Sequence, residues 1–153
     1  MKPILPAVAA SGLILALLAG CSTPGAYKKR SDLVSDPAAC AARRFEVYFD
    51  QDQARLTTAA REAISLTATQ LQGCDITRVQ VLGLADARSG TAAANQSLSE
   101  RRARSVAEAL AAAGLPAPAF EVAAAGAEGA LVNGVNDPLR RRTEVVIEAQ
   151  PRR

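Results

Sequence analysis

The chain has 153 residues and a formal net charge of +3, and 3% of its residues are aromatic. The near balance of charge and the scarcity of rings for base stacking argue against a nucleic-acid partner. There is no histidine, which excludes Ser-His-Asp triads and Cys-His dyads. The common phosphate-binding and hydrolase motifs are also absent. We therefore expect no cofactor, no metal site and no enzymatic activity.

The first residues have the organisation of a secretion signal. The apolar run at residues 4–18 is shorter than the roughly 20 residues that span a membrane. The sequence LAGC at residues 18–21 resembles a bacterial lipobox, whose cysteine is acylated and becomes the mature N-terminus. The residue after the cysteine is Ser22 rather than an aspartate. By the usual bacterial sorting pattern, this resemblance implies the outer membrane rather than retention at the inner membrane. We therefore predict a signal peptide over residues 1–20, lipidation of Cys21 and a lipid anchor on the periplasmic face of the outer membrane; the alternative is an ordinary secretory signal with a chance cysteine.

Residues 21–42 are predicted to be the lipidated cysteine and a flexible tether, because they contain prolines and serines and show little periodicity. The basic run at 27–30 is interpreted as a solvated part of this tether rather than a lipid-headgroup site. Cys40 and Cys74 form an even pair, which predicts a disulfide in an oxidising compartment. The alternative is two free, buried thiols.

The folded domain is predicted over residues 43–150 in the order β-α-β-α-β-β. Alternating and β-prone patterns predict strands at 45–49, 78–83, 120–124 and 143–149. Apolar residues at helical spacing predict a first helix over 56–72 and a second helix that ends at Gly114. These elements predict an α+β two-layer sandwich in which the helices cover one face of the sheet.

Two opposite charges flank the junction between the second strand and the second helix. Asp86 follows the strand. The form of a capping box at Ser97-x-x-Glu100 places Arg102 in the opening turns of the helix. A carboxylate there binds an ammonium group, and a guanidinium together with N–H groups at the helix start binds a carboxylate. The pair therefore predicts a site for a zwitterionic ligand; the alternative is a structural salt bridge between loop and helix.

Four segments of the domain resemble the OmpA-like, peptidoglycan-binding domain, which also occurs in peptidoglycan-associated lipoproteins. They are YFDQDQARLT at 48–57, VQVLGLADARSG at 79–90, NQSLSERRARSV at 95–106 and GVNDPLRRRTEVVI at 134–147. The third matches the family signature N-x-x-L-S-x-x-R-A-x-x-V. The resemblance covers residues 45–149 and implies the same element order and a binding module rather than an enzyme.

The resemblance also implies a ligand. In the family, an Asp after the second strand and an Arg in the second helix hold the diaminopimelate residue of the peptidoglycan stem peptide, and these positions match Asp86 and Arg102. Family alignment places Asp52 and Phe49 near the pocket rim, although Phe49 is equally compatible with the core. Arg141 is expected to assist the site or to pack under it; the alternative is a solvated arginine on an edge strand.

Three further positions carry weaker implications. Leu98 and Ala103 are candidates for backbone or apolar contacts to the ligand, but their helical spacing favours core packing. Asn95 is expected to brace the loop before the helix rather than to contact ligand. The family's His-Thr before the aspartate is replaced by Leu84-Ala85, which removes two polar side chains from this region.

The leading hypothesis is therefore a lipoprotein that tethers the outer membrane to peptidoglycan. The second is an envelope scaffold that has lost peptidoglycan binding and binds a periplasmic or outer-membrane protein, and the altered residues 84–85 are its main support. A glycan-cleaving enzyme built from Asp50, Asp52 and Asp86 is disfavoured, because Asp50 and Asp52 are too close in sequence to face each other across a cleft.

Overall fold

The computed structural model describes residues 37–116 and 119–152. The predicted signal peptide, Cys21 and most of the predicted tether lie outside the described residues. The strands are β1 (Arg43–Tyr48), β2 (Cys74–Gly83), β3 (Phe120–Ala124), β4 (Leu131–Val132), β5 (Val135–Asn136) and β6 (Arg142–Pro151). The helices are α1 (Thr58–Gln70) and α2 (Ala92–Ala112).

A four-stranded sheet has the order β1-β6-β2-β3. β6 runs antiparallel to both of its neighbours, β1 and β2, whereas β2 and β3 pair in parallel. The last strand of the chain is therefore central in the sheet. For this reason the alternative that Arg141 belongs to an edge strand is wrong.

One face of the sheet packs against the helices, which confirms the predicted α+β sandwich. Inward residues alternate along β6, where Thr143, Val145 and Ile147 are fully buried, while Glu144 and Glu148 lie on the other face. Ile64 of α1 and several residues of α2 complete this core. Burial of each such aliphatic side chain stabilises the fold by about 1.5–3 kcal/mol, so the core holds α2 firmly over the sheet.

The helix α2 begins earlier than the sequence predicts. Thr91 is its N-cap, and its side chain accepts a hydrogen bond from the N–H of Ala94 at 3.2 Å. Three consecutive alanines then favour helix, whereas the Ser97 hydroxyl contacts Arg101 instead of capping a helix. The prediction of a capping box there is wrong. Arg102 lies ten residues beyond the first residue of α2, so it belongs to the third turn and not to the opening turns.

A glycine allows α2 to approach the end of β2. A Cβ atom at Gly83 would lie 2.0 Å from the carbonyl oxygen of Ser99, far inside van der Waals contact. Only a residue without a side chain permits this approach. As a result, α2 lies directly against the last residue of β2 at Ser99.

A disulfide joins the start of the domain to the start of β2. Cys40 and Cys74 are bonded, with their Cα atoms 5.6 Å apart, and both are buried. The predicted disulfide is therefore confirmed for the structure. Pro37–Cys40 form a 3-10 turn, so the last part of the segment predicted as tether is fixed to the domain.

Candidate functional site

Arg102 is sealed in the interior at the end of the sheet where β2 terminates. Its side chain is 0% exposed. Its guanidinium donates three hydrogen bonds to backbone carbonyls: Nε to Gln53 at 2.8 Å, Nη1 to Leu84 at 3.0 Å and Nη2 to Asp50 at 3.1 Å. The arginine thus ties the β1–α1 loop and the residue after β2 to the third turn of α2.

The surroundings of Arg102 are partly apolar and partly charged. Its guanidinium carbon lies 5.1 Å from the centroid of the Phe49 ring, a distance that permits a cation–π contact. Burial lowers the pKa of Arg102, and the negative charges of Asp86 and Asp52 oppose this effect. Because guanidinium does not lose its proton in proteins, the site contains a permanent positive charge.

Asp86 is equally buried and has two described donors on one oxygen. Its side chain is 0% exposed. Arg141 Nη1 lies 3.3 Å from Oδ2, and Asn136 Nδ2 donates to the same oxygen at 3.4 Å. The Arg141 side chain keeps 27% of its surface exposed, so it forms the solvent-facing side of this ion pair.

The structure therefore brings four of the predicted residues to one end of the sheet: Asp86, Arg102, Arg141 and Phe49. Both charges of the predicted pair lie beneath the surface and not at an open mouth, because Arg102 extends from the third turn of α2 into the packed interior. Asp86 pairs with Arg141, and Arg102 donates to backbone carbonyls. The arrangement is therefore more than an isolated salt bridge between Asp86 and Arg102.

The remaining candidates divide between core and rim. Leu98 and Ala103 are buried in the apolar interior, as their spacing favours, and Phe49 also belongs to the core. Asp52 is exposed in the β1–α1 loop with a φ of 57°. Asn95 Nδ2 donates to the carbonyl of Gly90 at 3.4 Å, which confirms the predicted bracing of the loop before α2.

Sequence reasoning missed two residues that build this end of the fold. Asn136 contacts Asp86 as described above. Ser99 accepts a hydrogen bond from the N–H of Gly126 at 3.0 Å and donates to the carbonyl of Gln96 at 2.8 Å, which fastens the loop after β3 to α2. The Asn136–Asp86 and Ser99–Gly126 contacts have no local signal, because each joins residues that are far apart in the sequence.

A shallow groove of about 410 Å³ adjoins the loop that carries Asp86. It lies between the first turn of α2 and the segment 125–131, and small residues such as Ala87, Ala92 and Gly126 line it. Ala87 directly follows Asp86, so the groove opens beside the loop that carries the carboxylate.

The described ranges, 37–116 and 119–152, contain no group of three or more cysteine, aspartate or glutamate residues arranged to hold a metal ion. None of the helices within those ranges is long and apolar enough to cross a membrane.

Comparison with known proteins identifies a relative at the level of sequence. An outer membrane protein of Gluconacetobacter diazotrophicus is 35% identical over 114 residues, which cover 69% of this chain and 30% of the relative. The chain thus spans less than a third of that protein's length.

Two solved structures are similar at the level of sequence and fold. The OmpA-like domain of FopA1 from Francisella tularensis has a TM-score of 0.59 at 26% identity, covering 72% of this chain and 73% of that one. The peptidoglycan-associated lipoprotein of Burkholderia pseudomallei has a TM-score of 0.58 at 25% identity, covering 67% of this chain and 89% of that one.

The fold is also that of the periplasmic domain of Helicobacter pylori MotB, with a TM-score of 0.55 at 13% identity over 71% of this chain and 76% of that domain. Residues 48–143 match the OmpA family. This range runs from the last residue of β1 to the start of β6 and includes every candidate site residue described above. The protein is a member of that family.

Proposed function

We propose that this protein is a lipid-anchored outer-membrane protein that binds peptidoglycan without catalysis and links the membrane to the cell wall. The observation that carries the proposal is the convergence of Asp86 and Arg102 at one end of the sheet in a member of the OmpA family. A relative of the same fold is named a peptidoglycan-associated lipoprotein. The proposed ligand group is the diaminopimelate residue of the stem peptide.

Arg102 is the proposed carboxylate-binding residue. A guanidinium has five N–H groups, and the three bonds to carbonyls use one on each nitrogen. The second N–H groups of Nη1 and Nη2 are the ones assigned to a ligand carboxylate. Because Arg102 is 0% exposed, the ligand reaches them only after the partly exposed Arg141 has moved outward. Because the carbonyls already hold the guanidinium in place, binding costs little side-chain entropy.

Asp86 is the proposed ammonium-binding residue, and Arg141 controls the approach to it. Arg141 is the exposed member of their ion pair. We propose that the ligand ammonium replaces the Arg141 guanidinium at Asp86. Arg141 then moves outward and contacts a second carboxylate of the same ligand. Each contact to a charged group contributes about 1.5–3 kcal/mol, which favours a weak individual site, strengthened by many copies of the ligand in the wall.

The alternative function is an envelope scaffold that binds another protein. The specific observation in its favour is that Leu84 and Ala85, which replace a polar pair of the family, are buried at 1% and 0% exposure together with both charges. In this alternative Arg102 serves only to hold three backbone segments together.

Sedimentation with purified peptidoglycan sacculi tests the proposal. The wild-type chain is expected to pellet with the sacculi, and Asp86→Ala is expected to stay in solution. Asp75→Ala is the matched control, because Asp75 is an exposed carboxylate at the opposite end of β2 whose partner is the exposed Arg152. Equal pelleting of wild type and Asp86→Ala would reject the site.

Crosslinking in the periplasm tests the alternative. If the wild-type chain does not pellet and crosslinking recovers one dominant envelope protein, the scaffold function is supported and wall binding is rejected.

A further inference from the structure

Asn136 contacts the loop that carries Asp86 in two ways. Its Oδ1 accepts a hydrogen bond from the backbone N–H of Ala87 at 2.7 Å, and its Nδ2 donates to Asp86 Oδ2 at 3.4 Å. One amide side chain therefore holds both the backbone and the carboxylate of this loop.

A tight hairpin positions this amide. Asn136 ends β5 and pairs with Leu131 of β4. The turn between them consists of Asn133 and Gly134, whose φ angles of 52° and 78° are those of the two-residue hairpin turn that suits asparagine followed by glycine. At the base of the hairpin the N–H of Asp137 donates to the carbonyl of Ala130 at 2.8 Å. The hairpin is closed at both ends, so the amide has a fixed position.

The loop itself would otherwise favour a different orientation of the carboxylate. Asp86 is the N-cap of the 3-10 turn Ala87–Ser89, yet its side chain makes no capping hydrogen bond. An aspartate in this position ordinarily turns back to accept a hydrogen bond from the N–H groups of its own turn. Here Asn136 accepts from the first of those groups, while Asn136 and Arg141 together hold Asp86 Oδ2.

We propose that Asn136 is a positioning residue that keeps the Asp86 carboxylate directed towards the ligand ammonium, and so makes the site selective for amine-bearing ligands. This inference rests on the proposed function. Arg102 is held by the carbonyls of other loops and makes no described contact with Asn136. The carboxylate-binding half of the site is therefore independent of Asn136.

The test compares two small ligands by NMR titration of the full-length chain in mild detergent. Diaminopimelate carries amines and carboxylates, whereas pimelate has the same carbon chain and carboxylates but no amine. Asn136→Ala is expected to weaken diaminopimelate binding about tenfold, the effect of losing one hydrogen bond to a charged group, and to leave pimelate binding unchanged. Val135→Ala, an exposed residue on the same strand, is expected to change neither.

A second variant separates positioning from general damage. Asn136→Leu has nearly the same size as the wild-type residue and is expected to reproduce the effect of Asn136→Ala. In an Asp86→Ala background, Asn136→Ala is expected to cause no further loss, because the group that it positions is absent.

Three results would overturn the inference. The first is unchanged diaminopimelate binding by Asn136→Ala. The second is an equal loss for both ligands, which indicates a purely structural role. The third is additive loss in the Asp86→Ala background. Failure of the wild-type chain to bind diaminopimelate is a separate outcome that rejects the proposed function itself.

Discussion

Asp86 and Arg141 form an ion pair in which one partner is completely buried and the other reaches solvent. The N–O distance is 3.3 Å, and the side chains are 0% and 27% exposed, respectively. A carboxylate buried in this way needs donors, because an unpaired buried charge is strongly destabilising. Arg141 therefore supports the folded state as well as standing at the entrance to the proposed site.

The variant Arg141→Ala is predicted to destabilise the fold by about 1–3 kcal/mol, since it removes a charged donor from a buried carboxylate. The free energy of unfolding in urea measures the effect. Arg88→Ala, an exposed arginine near the same loop, is expected to change it by less than about 0.5 kcal/mol. Equal stabilities of the two variants would show that the ion pair contributes nothing.

Arg102→Met is predicted to destabilise the fold by more than about 3 kcal/mol, because three backbone carbonyls lose their donor at once and a fully buried side chain is replaced. Arg101→Met is the matched control, since Arg101 is the adjacent exposed residue and contacts only the Ser97 hydroxyl among its described partners. Urea unfolding measures both. A small loss of stability in Arg102→Met would contradict this role, because it would mean that water or neighbouring groups donate to the three carbonyls in place of the guanidinium.

Gly83→Ala is predicted to lower the free energy of unfolding by more than about 3 kcal/mol, because the added Cβ collides with the backbone of α2 and the helix must move. Gly73→Ala separates this steric effect from backbone strain. Gly73 has a φ of 87° with nothing within 4 Å of its would-be Cβ, so that change is expected to cost about 1 kcal/mol. Thermal unfolding of the two variants decides the matter; a Gly83→Ala protein as stable as Gly73→Ala would contradict the close approach.

Reduction of the Cys40–Cys74 disulfide is predicted to lower the free energy of unfolding by about 4 kcal/mol, on the chain-entropy estimate for a loop of this length. Urea unfolding with and without reductant measures the change. A variant with serine at both positions is expected to show the lower stability and no response to reductant. If reductant also destabilises that variant, the effect does not arise from this bond.

Tyr48 provides a prediction about pH. Its hydroxyl donates to Glu46, and this hydrogen bond, with some burial and the Glu46 charge, raises the pKa of Tyr48 above 10.0. Because the folded state favours the protonated phenol, this contribution to stability is complete below pH 10 and is lost as the pH rises through the raised pKa. Phenolate absorbance is expected to show a late-titrating tyrosine that Glu46→Gln shifts to lower pH and Tyr48→Phe removes. A tyrosine unaffected by Glu46→Gln would refute the contact.

Local patterns were sufficient for much of the sheet but not for the boundaries of every element. Alternation in 143–149 predicts β6 because inward valine and isoleucine alternate with glutamate. The start of β2 at Cys74 was missed, since the alternation breaks at Thr77 and Arg78, two successive exposed residues, where the pairing with β6 shifts register. The start of α2 was missed because alanines carry no amphipathic signal and Ser97-x-x-Glu100 offered a competing cap.

The site was predictable in its charged members and not in its supporting contacts. Asp86, Arg102 and Arg141 stand out by charge and by resemblance to a family. The burial of Arg102 follows from the close packing of α2 on Gly83, and the contact of Asn136 with Asp86 follows from the hairpin. Both depend on long-range geometry, for which neighbouring residues in the sequence give no signal.

A crystal structure of the domain with bound diaminopimelate would show whether the two buried charges bind opposite groups of one ligand. We expect one ligand carboxylate within hydrogen-bond distance of Arg102 Nη1 and Nη2. We also expect a ligand ammonium group on Asp86, with Arg141 displaced from the Asp86 carboxylate. A ligand bound elsewhere, with the Asp86–Arg141 ion pair intact, would contradict it.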